Sequence, residues 1–127
     1  MVSGIEHTAI ASPDPRRLAQ WYVDHLNFQI NYQSASSNTF FVKASDGSMI
    51  EIIESKTGLA GVPAMRDPGI RHMALTVTEF DAVYERLRAG GVQFLGEPED
   101  KGGNRVVFFT DADGNILHLL KRQKPLP

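Results

Sequence analysis

Four side chains of this sequence have the types and settings to hold a metal ion or move a proton: His7 in IEHTAI (5–10), Glu51 in MIEII (49–53), His72 in IRHMAL (70–75) and His118 in NILHLL (115–120). His118 interrupts an apolar run where packing alone would ask for Val or Leu, and Glu51 stands between isoleucines. Imidazole nitrogens and a carboxylate oxygen are borderline-hard donors suited to divalent Fe, Mn, Co, Ni or Zn. Glu51 and His118 are also able to take up and return a proton. Taken singly, each has a plainer explanation. A strand histidine is usually a satisfied core or surface side chain, and a strand glutamate an exposed residue or ion-pair partner. On an inward face, however, an unpaired Glu51 would cost several kcal/mol.

What sets the four apart is that the chain repeats itself. IEHTAI resembles IRHMAL with His7 and His72 offset by 65, and NFQI (27–30) resembles GVQF (91–94) with an offset of 64. TFFVKASDGSMIEII (39–53) resembles VVFFTDADGNILHLL (106–120) with an offset of 67, matching Asp46-Gly47 to Asp113-Gly114. Two stretches of about 60 residues share one plan, the signature of a duplicated supersecondary unit.

Each copy reads as a strand, a helix and three strands. In SPDPRRLAQWYVDHL (12–26), Asp14 is placed to cap, Pro15 suits the first helical position, and Leu18, Trp21, Tyr22 and Leu26 keep helical spacing. In TEFDAVYERLRAGG (78–91), Thr78 is the expected N-cap, Phe80, Val83, Tyr84 and Leu87 form the apolar face, and Gly90-Gly91 ends the helix. Short strands at 27–32 and 91–96 follow, then a hairpin closed at each Asp-Gly. Module 1 spans about 1–54, a Gly- and Pro-bearing linker 55–69, module 2 about 70–122, and a tail 123–127.

Strand alternation then sorts the faces. Ile5, His7 and Ala9 share one side of the first strand, with Thr8 and Ile10 opposite. His72, Ala74 and Thr76 share one side of its repeat, opposite Met73, Leu75 and Val77. Ile50 and Ile52 oppose Glu51, and Leu117 and Leu119 oppose His118. The apolar sets suit the underside of a helix. The four donors therefore fall on the faces turned away from the helices, and pairing the modules would bring those faces together as a cup.

The remaining composition narrows the function classes. At 127 residues, with 42% hydrophobic and 22% charged side chains, the chain fits one soluble α+β domain. A net charge of −2 without a basic stripe argues against nucleic acid and membrane surfaces. The absence of cysteine removes disulfides, thiolate ligands and thiol nucleophiles. MVSGIEHTAI lacks the regions of a secretion signal, so a cytoplasmic protein is expected. Arg105 and Lys101 are read as solvated loop charges that would otherwise rim the cup, Arg71 as facing away from His72, and His25 as an exposed helix residue. Trp21 and Tyr22 are read as core, and Gly58, Gly61 and Gly69 as flexible points of a linker able to act as a lid.

With these residues placed, the sequence resembles the vicinal oxygen chelate superfamily, which includes glyoxalase I, methylmalonyl-CoA epimerase, extradiol dioxygenases and bleomycin or fosfomycin resistance proteins. The resemblance runs from IEHTAI to NILHLL and rests most on the two strand histidines and on FFTDADGNILHLL (108–120). It implies two tandem βαβββ modules with curled mixed sheets forming a metal-binding cup. It maps the family's four metal positions onto His7, Glu51, His72 and His118, for one divalent ion (Ni, Zn, Mn, Fe or Co), and implies a homodimer. Glyoxalase I and the epimerase normally carry glutamate at the position of His118, and the extradiol enzymes also place their carboxylate there.

That departure matters. One carboxylate leaves a divalent site with about one net positive charge, which polarises a chelated oxygen more strongly. It also leaves Glu51 to carry the proton alone or with a neutral His118. Four protein ligands leave two octahedral positions for a small substrate that binds through two oxygens. The expected function is a metal-dependent lyase or isomerase of glyoxalase type. An extradiol-type dioxygenase and a small-molecule binding or resistance protein are the alternatives.

Overall fold

A computed structural model describes residues 1–59, 61 and 63–127; Ala60 and Val62, both within the predicted linker, lie outside the described residues. The chain divides into two compact units, Met1–Ala60 and Gly61–Pro127. Each carries one helix and one mixed sheet, so the α+β class and the paired arrangement of strands are those expected.

The first unit runs β1 (His7–Ser12), α1 (Pro15–Leu26), β2 (Gln29–Gln33), β3 (Phe40–Lys43) and β4 (Met49–Glu54). Its sheet has the order β1-β4-β3-β2, with β1 parallel to β4 and the other pairs antiparallel. Helix α1 begins as the sequence indicates: Asp14 Oδ1 accepts the Arg17 backbone N–H at 3.1 Å and Pro15 occupies the first turn. It ends at Asn27, whose left-handed backbone (φ 58°) is one that asparagine tolerates. Leu18, Ala19 and Tyr22 on the helix and Phe40, Val42, Ile50 and Ile52 on the sheet are buried against one another's elements. Truncating Leu18 to Ala in such a setting costs about 2–5 kcal/mol.

The second unit runs β5 (Met73–Thr76), α2 (Phe80–Ala89), β6 (Gln93–Phe94), β7 (Glu99–Lys101), β8 (Asn104–Thr110) and β9 (Ile116–Lys121). Its order is β5-β9-β8-β6, with β5 parallel to β9 and β7 pairing β8 beyond β6. The strand expected at 91–96 is thus only two residues long, and a second short strand completes that edge. Gly96 and Pro98 lie between the two pieces, and Pro98 has no N–H to give a ladder. Helix α2 also departs from expectation. Its N-cap is Glu79, not Thr78, and no side-chain hydrogen bond closes it. Phe80, Leu87, Val92, Val107, Phe109, Leu117 and Leu119 form the core.

The two Asp-Gly turns close their hairpins as expected. Gly47 (φ 93°) and Gly114 (φ 89°) take the backbone conformation that the turn requires. In the second turn the buried Asp111 accepts, through Oδ1, the backbone N–H groups of Asp113 at 2.9 Å and Asn115 at 3.0 Å. That carboxylate braces the turn from which the chain enters β9. Among the described residues no helix is long and apolar enough to cross a membrane.

Candidate metal centre

Burial along the strands follows the predicted faces. In β4, Ile50 and Ile52 are buried while Glu51 between them is half-buried; in β9, Leu117 and Leu119 are buried while His118 is half-buried. Glu51 and His118 therefore occupy the side of each sheet opposite its helix. His7 opens β1, and His72 stands one residue ahead of β5 rather than inside it.

In the first unit His7 and Glu51 are brought together, with Nε2 3.6 Å from Oε1. The other ring nitrogen, Nδ1, is hydrogen-bonded to the Glu6 carboxylate. The Glu6 hydrogen bond, opposed by desolvation and helped by the charges of Glu6 and Glu51, raises the His7 pKa above its ordinary 6.5. Phe41 stands opposite Glu51 on β3 and sets its ring edge-on to His7, centroids 5.3 Å apart. Tyr32 meets Phe41 in the same way at 5.9 Å.

In the second unit His72 and His118 are brought together, ring centroids 4.7 Å apart and nearly perpendicular. Phe108, opposite His118 on β8, stacks on it at 4.6 Å with 17° between planes. Burial, with the electrostatic influence of neighbouring His72 and Arg122 adding to it, holds His118 below the ordinary histidine pKa. Its Nδ1 is buried and has no hydrogen-bond partner among the described residues. A neutral imidazole with an unsatisfied buried nitrogen lacks a cation or a hydrogen-bonding partner, whose absence is costly.

Each unit thus offers two donors of a kind that divalent metals accept: imidazole with carboxylate, and imidazole with imidazole. Among the described residues no three His, Cys, Asp or Glu side chains gather into one cluster. Strand alternation had left three neighbours of these donors unnoticed. Glu6 lies just outside β1, so the alternation rule does not turn it away from His7. Phe41 and Phe108 are repeat equivalents, offset by the same 67 that relates Gly47 to Gly114, and that offset was the available signal.

The other candidates have structural partners. Arg105 bonds Asp81 at 3.1 Å and Asp100 at 3.2 Å, with its guanidinium 5.1 Å over the Phe80 ring, and so is not the solvated loop charge expected. Lys101 pairs with Glu99 at 3.0 Å. Arg71 donates to the Gly69 carbonyl at 3.3 Å. His25 is half-buried beside Trp21 rather than exposed, their rings 5.0 Å apart. Tyr22 is core as expected, whereas Trp21 is only half-buried. Of the linker glycines, Gly61 and Gly69 have positive φ.

Comparison with known proteins gives a family model, the Glyoxalase/Bleomycin resistance protein/Dioxygenase superfamily, matching residues 4–119. YetH, an uncharacterized protein of Bacillus subtilis (strain 168), is 25% identical over 94% of this chain and 98% of its own. Among solved structures, a glyoxylase/bleomycin resistance protein/dioxygenase domain from Frankia sp. EAN1pec superposes with a TM-score of 0.81 at 21% identity, covering 99% of this chain and 96% of that one. The genomically encoded fosfomycin resistance protein FosX of Listeria monocytogenes, complexed with Mn(II) and sulfate, gives 0.73 at 23% identity, covering 97% and 93%.

Proposed function

The chain belongs to the Glyoxalase/Bleomycin resistance protein/Dioxygenase superfamily, and from that premise we propose that it is a divalent-metal-dependent lyase or isomerase of glyoxalase type. In this reading His7, Glu51, His72 and His118 are the metal ligands, for Ni, Zn, Mn, Fe or Co. The substrate is a small molecule presenting two neighbouring oxygens, and the working form is a homodimer. The observation that carries the reading is the equivalence of the two donor pairs, each set on the helix-free side of its sheet at matched strand positions.

The metal, when bound, supplies Lewis acidity toward the substrate oxygens. The chain's own residues do the rest. Glu51, the sole carboxylate of the set, takes the proton from the carbon beside a carbonyl, the C–H electron pair moving toward the carbonyl oxygen. It returns that proton to the neighbouring carbon. Burial keeps His118 neutral near physiological pH, with its nitrogens available as donor and lone pair. Phe41 and Phe108 set apolar rings against His7 and His118.

The test is incorporation of solvent deuterium into hemithioacetals or 2-oxo-acyl thioesters by protein loaded with each metal in turn. Exchange dependent on the metal and on Glu51 is the expected result; none with any of the five metals overturns the proposal. A second reading, a binding or resistance protein, draws on the similarity to the Mn(II)-containing Listeria protein. Stoichiometric metal retained without any exchange would favour it.

A further inference from the structure

Resting on the metal-centre reading above, we propose that Glu6 is a positioning residue for His7: its carboxylate holds the Nδ1 proton and so presents the Nε2 lone pair toward Glu51. A neutral imidazole carries one proton, on either nitrogen, and an ionised carboxylate only accepts. The hydrogen bond between Glu6 and His7 Nδ1 therefore requires the proton to be on Nδ1. Nε2 is then an acceptor, and it faces a second acceptor, Glu51 Oε1, across 3.6 Å. Two acceptors facing one another with no proton between them suit a shared cation. An outer carboxylate that fixes a metal-binding histidine in this way also raises its basicity.

Among the described residues the second unit does not repeat this arrangement. The repeat equivalent of Glu6 is Arg71, offset by the same 65 that relates His7 to His72. A guanidinium cannot accept an imidazole proton, and Arg71 turns to the carbonyls of Gly69 and Ala64 instead. His72 meets another imidazole, that of His118. Among the described residues, an acidic neighbour bonds the histidine ring in the first unit and not in the second. Glu6 is free to reach it because it precedes β1, where its side chain is exposed.

The experiment has two arms. Long-range nitrogen–proton NMR of the metal-free protein, well above the imidazole pH range, reads the His7 tautomer. Nδ1–H is expected in the wild type and largely in Glu6→Gln, whose amide oxygen still accepts, with a shift toward Nε2–H in Glu6→Ala. Competition with a chelating dye reads the metal. Glu6→Ala should weaken binding about 10–100-fold, with part of the loss recovered by Glu6→Gln. Nε2–H in the wild type, or unchanged affinity in Glu6→Ala, overturns the proposal. The first arm needs no metal: Nδ1–H in a protein that binds no metal would count against the metal centre while upholding the hold of Glu6 on His7.

Discussion

Glu51 and His118 hold the same station in their two sheets. Each pairs on one side with an alanine two residues beyond the leading histidine, Ala9 or Ala74, and on the other with a phenylalanine, Phe41 or Phe108. The small neighbour leaves room above the donor and the ring walls it. Only the donor atom differs, oxygen in the first unit and nitrogen in the second. The duplication has kept the setting and changed the charge; in the proposed function Glu51 carries the proton, with His118 as its neutral counterpart.

Glu51→Gln tests that assignment. The amide keeps the shape between Ile50 and Ile52 but removes the charge and the basicity. Solvent-deuterium exchange should fall about 100- to 10,000-fold, the usual worth of a positioned base, while the melting temperature stays near that of the wild type. Exchange at the wild-type rate would remove Glu51 from the role.

His118→Phe separates ligation from folding. The new ring keeps the stack on Phe108 and removes a buried nitrogen without a partner, a group whose isolation costs about 1–3 kcal/mol. The metal-free variant should be more stable by about 1 kcal/mol, a rise of about 4 °C in melting temperature, and should lose metal affinity. A lower melting temperature would mean that the nitrogen is satisfied in solution.

Much of this was legible because duplication and alternation act together. The offset of 65 marked His7 and His72, and period-two burial put Glu51 and His118 opposite their isoleucine and leucine neighbours, as the strands show. The α1 cap was readable because Asp14 and Pro15 are local signals. The α2 cap was not: Thr78 carries the preferred side chain, but the helix starts one residue later, and no local rule sets that step. Glu6 and Phe108 were missed for a related reason. Their contacts depend on where a strand begins and on which residue stands across it, and register is a tertiary property.

The two histidine shifts predict opposite pH dependences in metal-free protein. The folded pKa of His118 lies below 6.5. Below pH 6.5 the unfolded chain binds a proton that the folded one refuses, so stability falls from pH 6.5 down through the folded value. His7 is raised, so its contribution is complete below 6.5 and is lost as pH rises through its folded value. Urea titrations across this range should show a shallower acid-side loss in His118→Phe and a shallower loss above 6.5 in His7→Gln. A His118→Phe profile parallel to that of the wild type would sink the first assignment.

The two helix starts give a prediction independent of the metal. Asp14 closes α1 through the Arg17 N–H, whereas Glu79 heads α2 without a side-chain capping hydrogen bond although its carbonyl already accepts the Val83 N–H at 3.0 Å. The backbone is therefore in place and only the side-chain reach is wrong. Aspartate is one methylene shorter and is among the preferred capping residues; it keeps the negative charge that the helix N-terminus favours. Glu79→Asp should stabilise the protein by about 0.5–1 kcal/mol, and Asp14→Ala should destabilise it by about 1 kcal/mol. Both are read from thermal or urea unfolding at one pH. If Glu79→Asp leaves stability unchanged while Asp14→Ala lowers it, the start of α2 is held by contacts other than its cap.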